Sequence, residues 1–280
     1  MLKSLLTRLG AARSVAIPDE LWNETLASIS FVARLGAEQR ERLRALAEQL
    51  LADKEMAAAG ELELTAAMQV NIAVQACLPI LNLGIEWYRG WKSIVVYPNE
   101  FLVPRSITDD DGVVHEYTEP ISGEAWEGGP LLLSWDDAAR AGATNESGAG
   151  APYCVVIHEF THKLDMLSGD ADGCPPFDAK LHPTLDPARW RTVLDDAFER
   201  FKSELDMIEA ELPADVDPDS DDADRYYEHL PLDPYGAQET GEFFAVSSET
   251  FFVAPAPLRD TFPDWYAQLA LFFRQDPLAS

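Results

Sequence analysis

One segment of the sequence has residue types and spacing suited to metal chemistry, namely His158-Glu159-Phe160-Thr161-His162. His158 and His162 are four residues apart, so on a helix their imidazoles leave the same face about one turn apart. Two imidazole nitrogens at that spacing can bind one Zn²⁺, and Glu159 can meet a water molecule bound to the ion. The motif therefore predicts two zinc ligands, His158 and His162, and a general base, Glu159.

The residues around the motif predict that it lies on a buried helix. Apolar residues 154–157 precede it, and Leu164, Met166 and Leu167 follow it. Buried histidine and glutamate side chains need partners, and a metal ion supplies one. A surface helix with coincidental histidines is the alternative that this pattern disfavours. Gly169 is suited to a C-terminal cap, which predicts a helix that ends about two turns past His162.

Zinc held by two histidines in a catalytic site needs a third protein ligand and leaves a fourth position for water. A metzincin has the longer motif H-E-x-x-H-x-x-G-x-x-H, with a glycine three residues and a histidine six residues after the second histidine. Those two positions are Asp165 and Ser168 here, so the sequence does not fit a metzincin. A gluzincin takes a glutamate from a later helix, and we rank Glu242 first, Glu249 second and Glu239 third. Glu242 falls in the first turn of a helix that Thr240 can cap, where the helix dipole favours a carboxylate.

Two further carboxylates are candidates for orienting the ligands. Asp165 lies three residues after His162 on the ligand stripe and is predicted to accept the second ring N–H of a ligand histidine. The alternative is an ordinary acid late in a helix. Glu249 lies seven residues after Glu242 on the same helical stripe, so it is either a supporting acid or a rival ligand.

Composition limits the class of protein. The 280 residues are 47% hydrophobic, which is enough for a sizeable core. The net charge of −28 argues against nucleic acid as a direct partner, because both would be polyanions. Cys77, Cys154 and Cys174 form no C-x-x-C pair and predict reduced thiols. We find no signal peptide and no membrane span, and therefore expect a cytoplasmic protein without membrane contact.

Periodicity predicts the elements that position the motif. We expect an α+β fold, mainly helical, with a small mixed β-sheet beside the H-E-x-x-H helix. A single domain, 1–280, would comprise a helical scaffold (1–90), the sheet with both ligand helices (91–274) and a tail (275–280). Expected helices span about 18–29, 36–55, 64–83 with an interruption near Pro79, and 186–212; expected strands are Ser93–Tyr97, Phe101–Val103 and Leu131–Trp135.

Several loops complete this prediction. Leu131–Trp135 is expected to be an edge strand that pairs with an extended substrate. Residues 1–18 are expected to form a loose arm, 109–112 a turn, and the acidic segment 213–224 a solvated loop. His182 and His229 stand near prolines and are expected at the surface.

Motifs along almost the whole chain carry a resemblance to a known family. These segments are Ala76-Cys77-Leu78-Pro79, Val96-Tyr97-Pro98, Gly123-Glu124-Ala125-Trp126, Leu133-Ser134-Trp135, His158 to Asp165, Asp172-Gly173-Cys174-Pro175, Asp233-Pro234-Tyr235, Glu242 to Val246 with Glu249, and Gln275-Asp276-Pro277-Leu278. On these segments the chain resembles the Mlc titration factor family, the glucose-regulated zinc metallopeptidases. The strong acidity and the segment 213–224 depart from that family.

The resemblance implies a zincin-like, gluzincin-type peptidase similar to the catalytic domain of anthrax lethal factor. It implies one Zn²⁺ on His158, His162 and Glu242, with Glu159 as base and Tyr235 as the active-site tyrosine. It also implies aminopeptidase-like activity on a peptide or protein substrate, and an Mlc-like transcriptional repressor as partner. The alternative is a regulatory module that sequesters such a repressor and has weak or vestigial peptidase activity.

Overall fold

The computed structural model describes residues 15–108, 114–142, 151–218, 220 and 222–279. The helices are α1 (Asp19–Ser28), α2 (Ala37–Asp53), α3 (Ala66–Cys77), α4 (Trp135–Ala139), α5 (Val155–Asp165), α6 (Pro187–Ala210), α7 (Asp224–Tyr227), α8 (Thr240–Val253), α9 (Pro255–Thr261) and α10 (Pro263–Phe273). The strands are β1 (Glu55–Ala58), β2 (Ser93–Tyr97), β3 (Phe101–Thr108), β4 (Val114–Ile121), β5 (Gly123–Ala125) and β6 (Leu131–Ser134). Of the arm expected over 1–18, residues 1–14 lie outside the described residues, as does the turn expected at 109–112; Ile17 is buried, and its amide donates a 3.0 Å hydrogen bond to Glu48.

The strands confirm a small mixed sheet and correct one assignment within it. Four strands pair in the order β1-β2-β6-β5, with β1, β2 and β6 parallel and β5 antiparallel to β6. The strand predicted as the edge, β6, is therefore an interior strand, and β5 is the edge next to it. The alternation of side chains along β6 predicts that Leu131 and Leu133 are buried, as they are. It does not predict whether the strand lies at the edge of the sheet, because that depends on pairing with distant segments.

Local signals predicted most helix boundaries well. The α6 helix begins after Asp186, whose side chain accepts a hydrogen bond of 2.9 Å from the Arg189 amide, and Pro187 occupies its first turn. The α3 helix ends at Cys77, two residues before Pro79. This is expected because a proline disfavours the helical conformation of the residue that precedes it. No helix in the described part of the chain combines the length and hydropathy needed to cross a membrane.

The core brings the two predicted ligand helices together. Every residue of α5 is buried, and α8 packs directly against it. Phe243, Phe244, Phe251 and Phe252 of α8 are fully buried and form aromatic contacts with α6 and α10. Burial of these rings fixes α8, and thereby places the polar stripe of α8 opposite the polar stripe of α5.

Two predictions about polar residues need correction. His182 is buried, not at the surface: its Nε2 lies 2.9 Å from the Phe272 carbonyl oxygen, and its Nδ1 accepts a hydrogen bond of 3.1 Å from the Asp178 amide. Burial lowers the pKa of His182, so the neutral ring is favoured. The acidic segment 213–224 is mostly exposed where it is described, but Ala223 is buried and the Tyr227 hydroxyl contacts the Pro218 carbonyl at 3.4 Å, so it is not simply a solvated loop.

Candidate metal centre

The α5 helix carries the H-E-x-x-H motif but is shorter than predicted. Its last helical turn closes with a 2.8 Å hydrogen bond from the Met166 amide to the His162 carbonyl. Tight turns then lead to Gly169, whose φ of +132° is strained for other residues. Gly169 therefore ends this series of turns, whereas the helix itself ends at Asp165.

Three ligand atoms from α5 and α8 converge. The Nε2 atoms of His158 and His162 lie 3.1 Å apart. The Oε2 atom of Glu242 lies 3.0 Å from the first of these nitrogens and 3.3 Å from the second. His158, His162 and Glu242 are thus placed together, and Glu239, the third-ranked alternative, is not part of this cluster.

The hydrogen bonding of His158 shows that this cluster suits a cation. Its Nδ1 lies 2.8 Å from Oε1 of Glu249, and because an ionised carboxylate only accepts hydrogen bonds, ionised Glu249 places the proton on Nδ1. In a neutral imidazole Nε2 then presents a lone pair, and it faces the Glu242 carboxylate and the Nε2 of His162. Such a convergence of acceptors is unfavourable in a buried site unless a positive charge lies between them.

The spacing of the three atoms also fits a tetrahedral metal ion. Zinc holds nitrogen and oxygen ligands at about 2.0–2.2 Å in a tetrahedron, which places neighbouring donors about 3.3–3.6 Å apart, slightly wider than the separations in this cluster. The three observed separations are 3.0, 3.1 and 3.3 Å. Two imidazoles and one carboxylate leave a fourth position open, as in a catalytic rather than a structural zinc site.

The same contacts perturb the pKa values of the cluster. Burial alone would raise the pKa of Glu242, but hydrogen bonds with His158 and His162 outweigh it, and the pKa is lowered far below its usual range. Burial alone would lower the pKa of His158, but Glu242 and Glu249 raise it well above the usual value. Both shifts show that the site favours a positive charge beside the Glu242 carboxylate.

Glu159 lies at the wall of the same cavity and is 5% exposed. Its Oε2 atom is buried and has no hydrogen-bond partner among the described residues. Burial raises the pKa of Glu159 to about 7, although the two histidines oppose the shift. A carboxylate with a pKa near neutrality can both accept and return a proton.

Glu249, not Asp165, supports the histidines. Glu249 binds His158 through Oε1 and accepts a hydrogen bond from the Cys154 amide at the start of α5. Asp165 makes no contact of the kind predicted: its Oδ2 accepts a hydrogen bond of 2.6 Å from the Gly173 amide, and its Oδ1 has no partner in the described structure. Asp165 was predicted to orient a ligand histidine because it lies on the same face of the helix as His162, but its side chain contacts the loop after α5 instead.

This difference gives a prediction for metal affinity. In Glu249→Gln the partner of the His158 N–H loses its charge, so we expect zinc affinity to fall about 10- to 100-fold. Asp165→Asn is the matched control because it changes an equally buried acid on the motif helix. A competition titration with a chromophoric chelator measures both; equal losses in the two variants would contradict the role of Glu249.

Tyr235 lies next to His158, with its ring centroid 5.9 Å from that of the histidine. A short 3₁₀ turn over Pro234–Ala237 presents it, and the Asp233 side chain accepts a 2.9 Å hydrogen bond from its amide. The side chain is 44% exposed, so it stands at the mouth of the cavity. This position beside the cluster is compatible with a hydroxyl that contacts bound substrate.

The cavity around these residues has a volume of about 580 Å³. Besides the motif residues it is lined by Tyr153 and by β5. The sequence analysis does not predict that either contributes to the site. A Cβ on Gly123 of β5 would lie 2.5 Å from Oε1 of Glu159, so only glycine allows the strand to approach so closely. The family motif containing Gly123 was visible in the sequence, but a lone glycine in a short strand indicates no particular neighbour.

Comparison with known proteins agrees with this geometry. The profile of the glucose-regulated metallo-peptidase M90 family matches residues 5–274. Mlc titration factor A of Pectobacterium atrosepticum is 36% identical over 261 residues, covering 93% of this chain and 88% of that protein. Mlc titration factor A of Salmonella arizonae is 34% identical over 259 residues, covering 92% of each chain. The resemblance noted in the sequence is thereby confirmed, and the chain belongs to the glucose-regulated metallo-peptidase M90 family.

Proposed function

We propose that this protein is a zinc-dependent peptidase with a zincin-like fold of the gluzincin type. The observation that carries the proposal is the convergence of His158, His162 and Glu242 beside Glu159, whose buried Oε2 has no hydrogen-bond partner among the described residues. A closed structural site would need neither a free base nor a cavity at its open side.

Bound zinc would supply a Lewis acid that polarises the scissile carbonyl and lowers the pKa of water. Glu159 takes the proton from the attacking water and returns it to the leaving amine, which its pKa near 7 allows. Tyr235 donates a hydrogen bond to the developing oxyanion from the mouth of the cavity. Glu249 holds the proton on Nδ1 of His158, which keeps Nε2 available as a ligand.

The surroundings of the cluster support a peptide substrate with a positively charged end. The β5 strand is the sheet edge beside Glu159, and an extended peptide can pair with such an edge. The cavity is also lined by five further carboxylates, and no Lys or Arg is among its described lining residues. These carboxylates are Glu100, Glu124, Asp137, Asp233 and Glu239. A cleft of one sign of charge attracts substrates of the other sign, so a free amino terminus fits an aminopeptidase-like activity.

The test is hydrolysis of a panel of chromogenic aminoacyl substrates and short peptides by zinc-loaded protein. We expect turnover that a chelator abolishes and zinc restores, with faster hydrolysis of substrates that carry a free ammonium than of their acetylated counterparts. Small non-peptide amides belong in the same panel because metal-dependent hydrolysis of those bonds uses the same groups. Zinc-loaded protein that hydrolyses none of these substrates would contradict the proposal.

A regulatory function is the second candidate, because the curated relatives are named Mlc titration factor A. In this case the protein would bind an Mlc-like transcriptional repressor and thereby remove it from DNA, without itself contacting nucleic acid. Binding of such a repressor should then survive Glu159→Gln, which removes the base but not the surface. This second function would require a cytoplasmic protein, which is the location that we expect from the sequence.

A further inference from the structure

In the β5–β6 hairpin, β6 is buried within the sheet, but β5 and the connecting turn, residues 123–130, contain no fully buried residue. Its edge strand β5 is three residues long and pairs only with β6 among the described strands. In the connecting turn, Trp126 is 51% exposed and Glu127 and Gly128 are exposed. Short edge elements with few buried contacts open locally at low free-energy cost. A contact from another element would therefore stabilise the position of β5 and this turn.

Lys163 is in the position to do so. It follows His162 on α5 and is 3% exposed. Its Nζ donates hydrogen bonds to the carbonyl oxygens of Trp126 at 2.6 Å and Gly129 at 3.1 Å, and lies 3.5 Å from that of Pro130. These carbonyls belong to the turn that joins β5 to β6. One ammonium group thus connects the motif helix to the hairpin.

Burial lowers the pKa of Lys163 to about 8, and the polar groups around its ammonium offset part of the cost of removing it from water. An ammonium group buried without partners would be strongly unfavourable. Here carbonyl oxygens use its N–H donors, and the Trp91 ring lies beneath it with the centroid 4.9 Å from Nζ.

We propose that Lys163 is a positioning residue that holds the substrate-pairing edge β5 at its working distance from Glu159. The helix position next to His162 ties the hairpin to the same rigid element that carries both histidines and the base. Gly123 at the start of β5 already touches the Glu159 side chain, so a small displacement of the hairpin changes the space beside the base. The kinetic part of this proposal rests on the proposed peptidase function; the structural part does not.

Lys54, which contacts the same Trp91 ring, provides a matched control. It is 5% exposed, and its Nζ lies 4.1 Å from the Trp91 centroid. It donates to the carbonyl oxygens of Trp91, at 2.9 Å, and of Tyr88, and its Nζ lies 3.0 Å from Oδ2 of Asp53; none of these groups belongs to the hairpin. Lys54→Met and Lys163→Met therefore remove comparable buried ammonium groups, but only the second releases β5.

The experiment compares zinc-loaded wild type, Lys163→Met and Lys54→Met by hydrogen–deuterium exchange and steady-state kinetics. We expect the amides of residues 122–129 to exchange at least about tenfold faster in Lys163→Met than in Lys54→Met, with equal zinc content. With a cleavable substrate, kcat/KM should fall about tenfold or more in Lys163→Met only, because misplacement of bound substrate is costly. Lys163→Arg, which keeps charge and donors, should restore part of the protection.

Equal exchange of the hairpin in Lys163→Met and Lys54→Met would overturn the proposal, whatever the kinetics show. Faster exchange with an unchanged kcat/KM would overturn the claim that the position of β5 matters for turnover. If Lys163→Met does not fold, Lys163→Gln makes the same comparison because its shorter side chain cannot reach the carbonyls. Absence of turnover in wild type would contradict the peptidase function alone, since the exchange measurement needs no substrate.

Discussion

Glu159→Gln is expected to lower kcat about 10²- to 10⁴-fold while the protein keeps its zinc. The amide is close in shape to the carboxylate, so the cavity wall is preserved, but it cannot accept a proton from water. The three converging atoms belong to other residues, and zinc content should stay at the wild-type level. A loss in kcat with little change in KM is the pattern of a group that acts in the transition state.

The measurement is steady-state hydrolysis by zinc-loaded protein, with metal content determined on the same samples. Asp165→Asn is the matched control, since Asp165 is buried on the same helix and burial raises its pKa to about 7 as well. We expect that variant to stay within a few-fold of wild type. If Glu159→Gln and Asp165→Asn lost activity equally, the effect would reflect the removal of a buried acid and not of a base.

Glu242→Gln is expected to weaken zinc binding by more than the roughly 100-fold upper range expected for Glu249→Gln. The substitution removes the charged member of the cluster and leaves two neutral imidazoles. Because a ligand that binds only the folded state raises stability by mass action, the zinc-dependent rise in Tm should shrink in parallel. Activity should be lost with the metal and recover partly at high zinc concentration.

Competition titration and thermal unfolding, each with and without zinc, measure this effect. Glu239→Gln is the control, because Glu239 precedes Glu242 by one helical turn, lines the same cavity and lies outside the cluster. If Glu242→Gln kept wild-type zinc affinity and Glu239→Gln lost much of it, Glu239 and not Glu242 would be the third zinc ligand. If only Glu249→Gln lost much of its zinc affinity, Glu249 would be the third ligand.

Features that depend on nearest neighbours were predictable without tertiary structure. The β2 strand spans Ser93–Tyr97 as predicted, because its β-branched run is bounded by turn residues. The α6 helix was predicted to within two residues at its C-terminal end, because capping and a 3.6-residue period are local signals. The length of α5 was misjudged since Gly169 ends a series of tight turns that follow the helix rather than the helix itself.

Features that depend on distant segments were not predictable in this way. The edge strand was assigned to β6 instead of β5, because alternation of side chains is the same in an edge strand and in an interior strand. His182 was assigned to the surface from its neighbouring prolines, but the ring is buried against Phe272, 90 residues away. Its burial follows from the packing of α10, about which the residues near His182 carry no information.

The candidate site also contains features that local sequence predicts and features that only the tertiary structure shows. Residue types and helical spacing alone placed His158, Glu159 and His162 on one helix, because the distance of four residues sets their geometry directly. Only the tertiary structure decided that Glu249 rather than Asp165 binds the His158 N–H, and that β5 and Lys163 lie beside the base. Glu249 and His158 are 91 positions apart, and burial of the α8 aromatic rings brings them within hydrogen-bonding distance. The contacts of Lys163 depend in the same way on long-range packing, here of the sheet against α5.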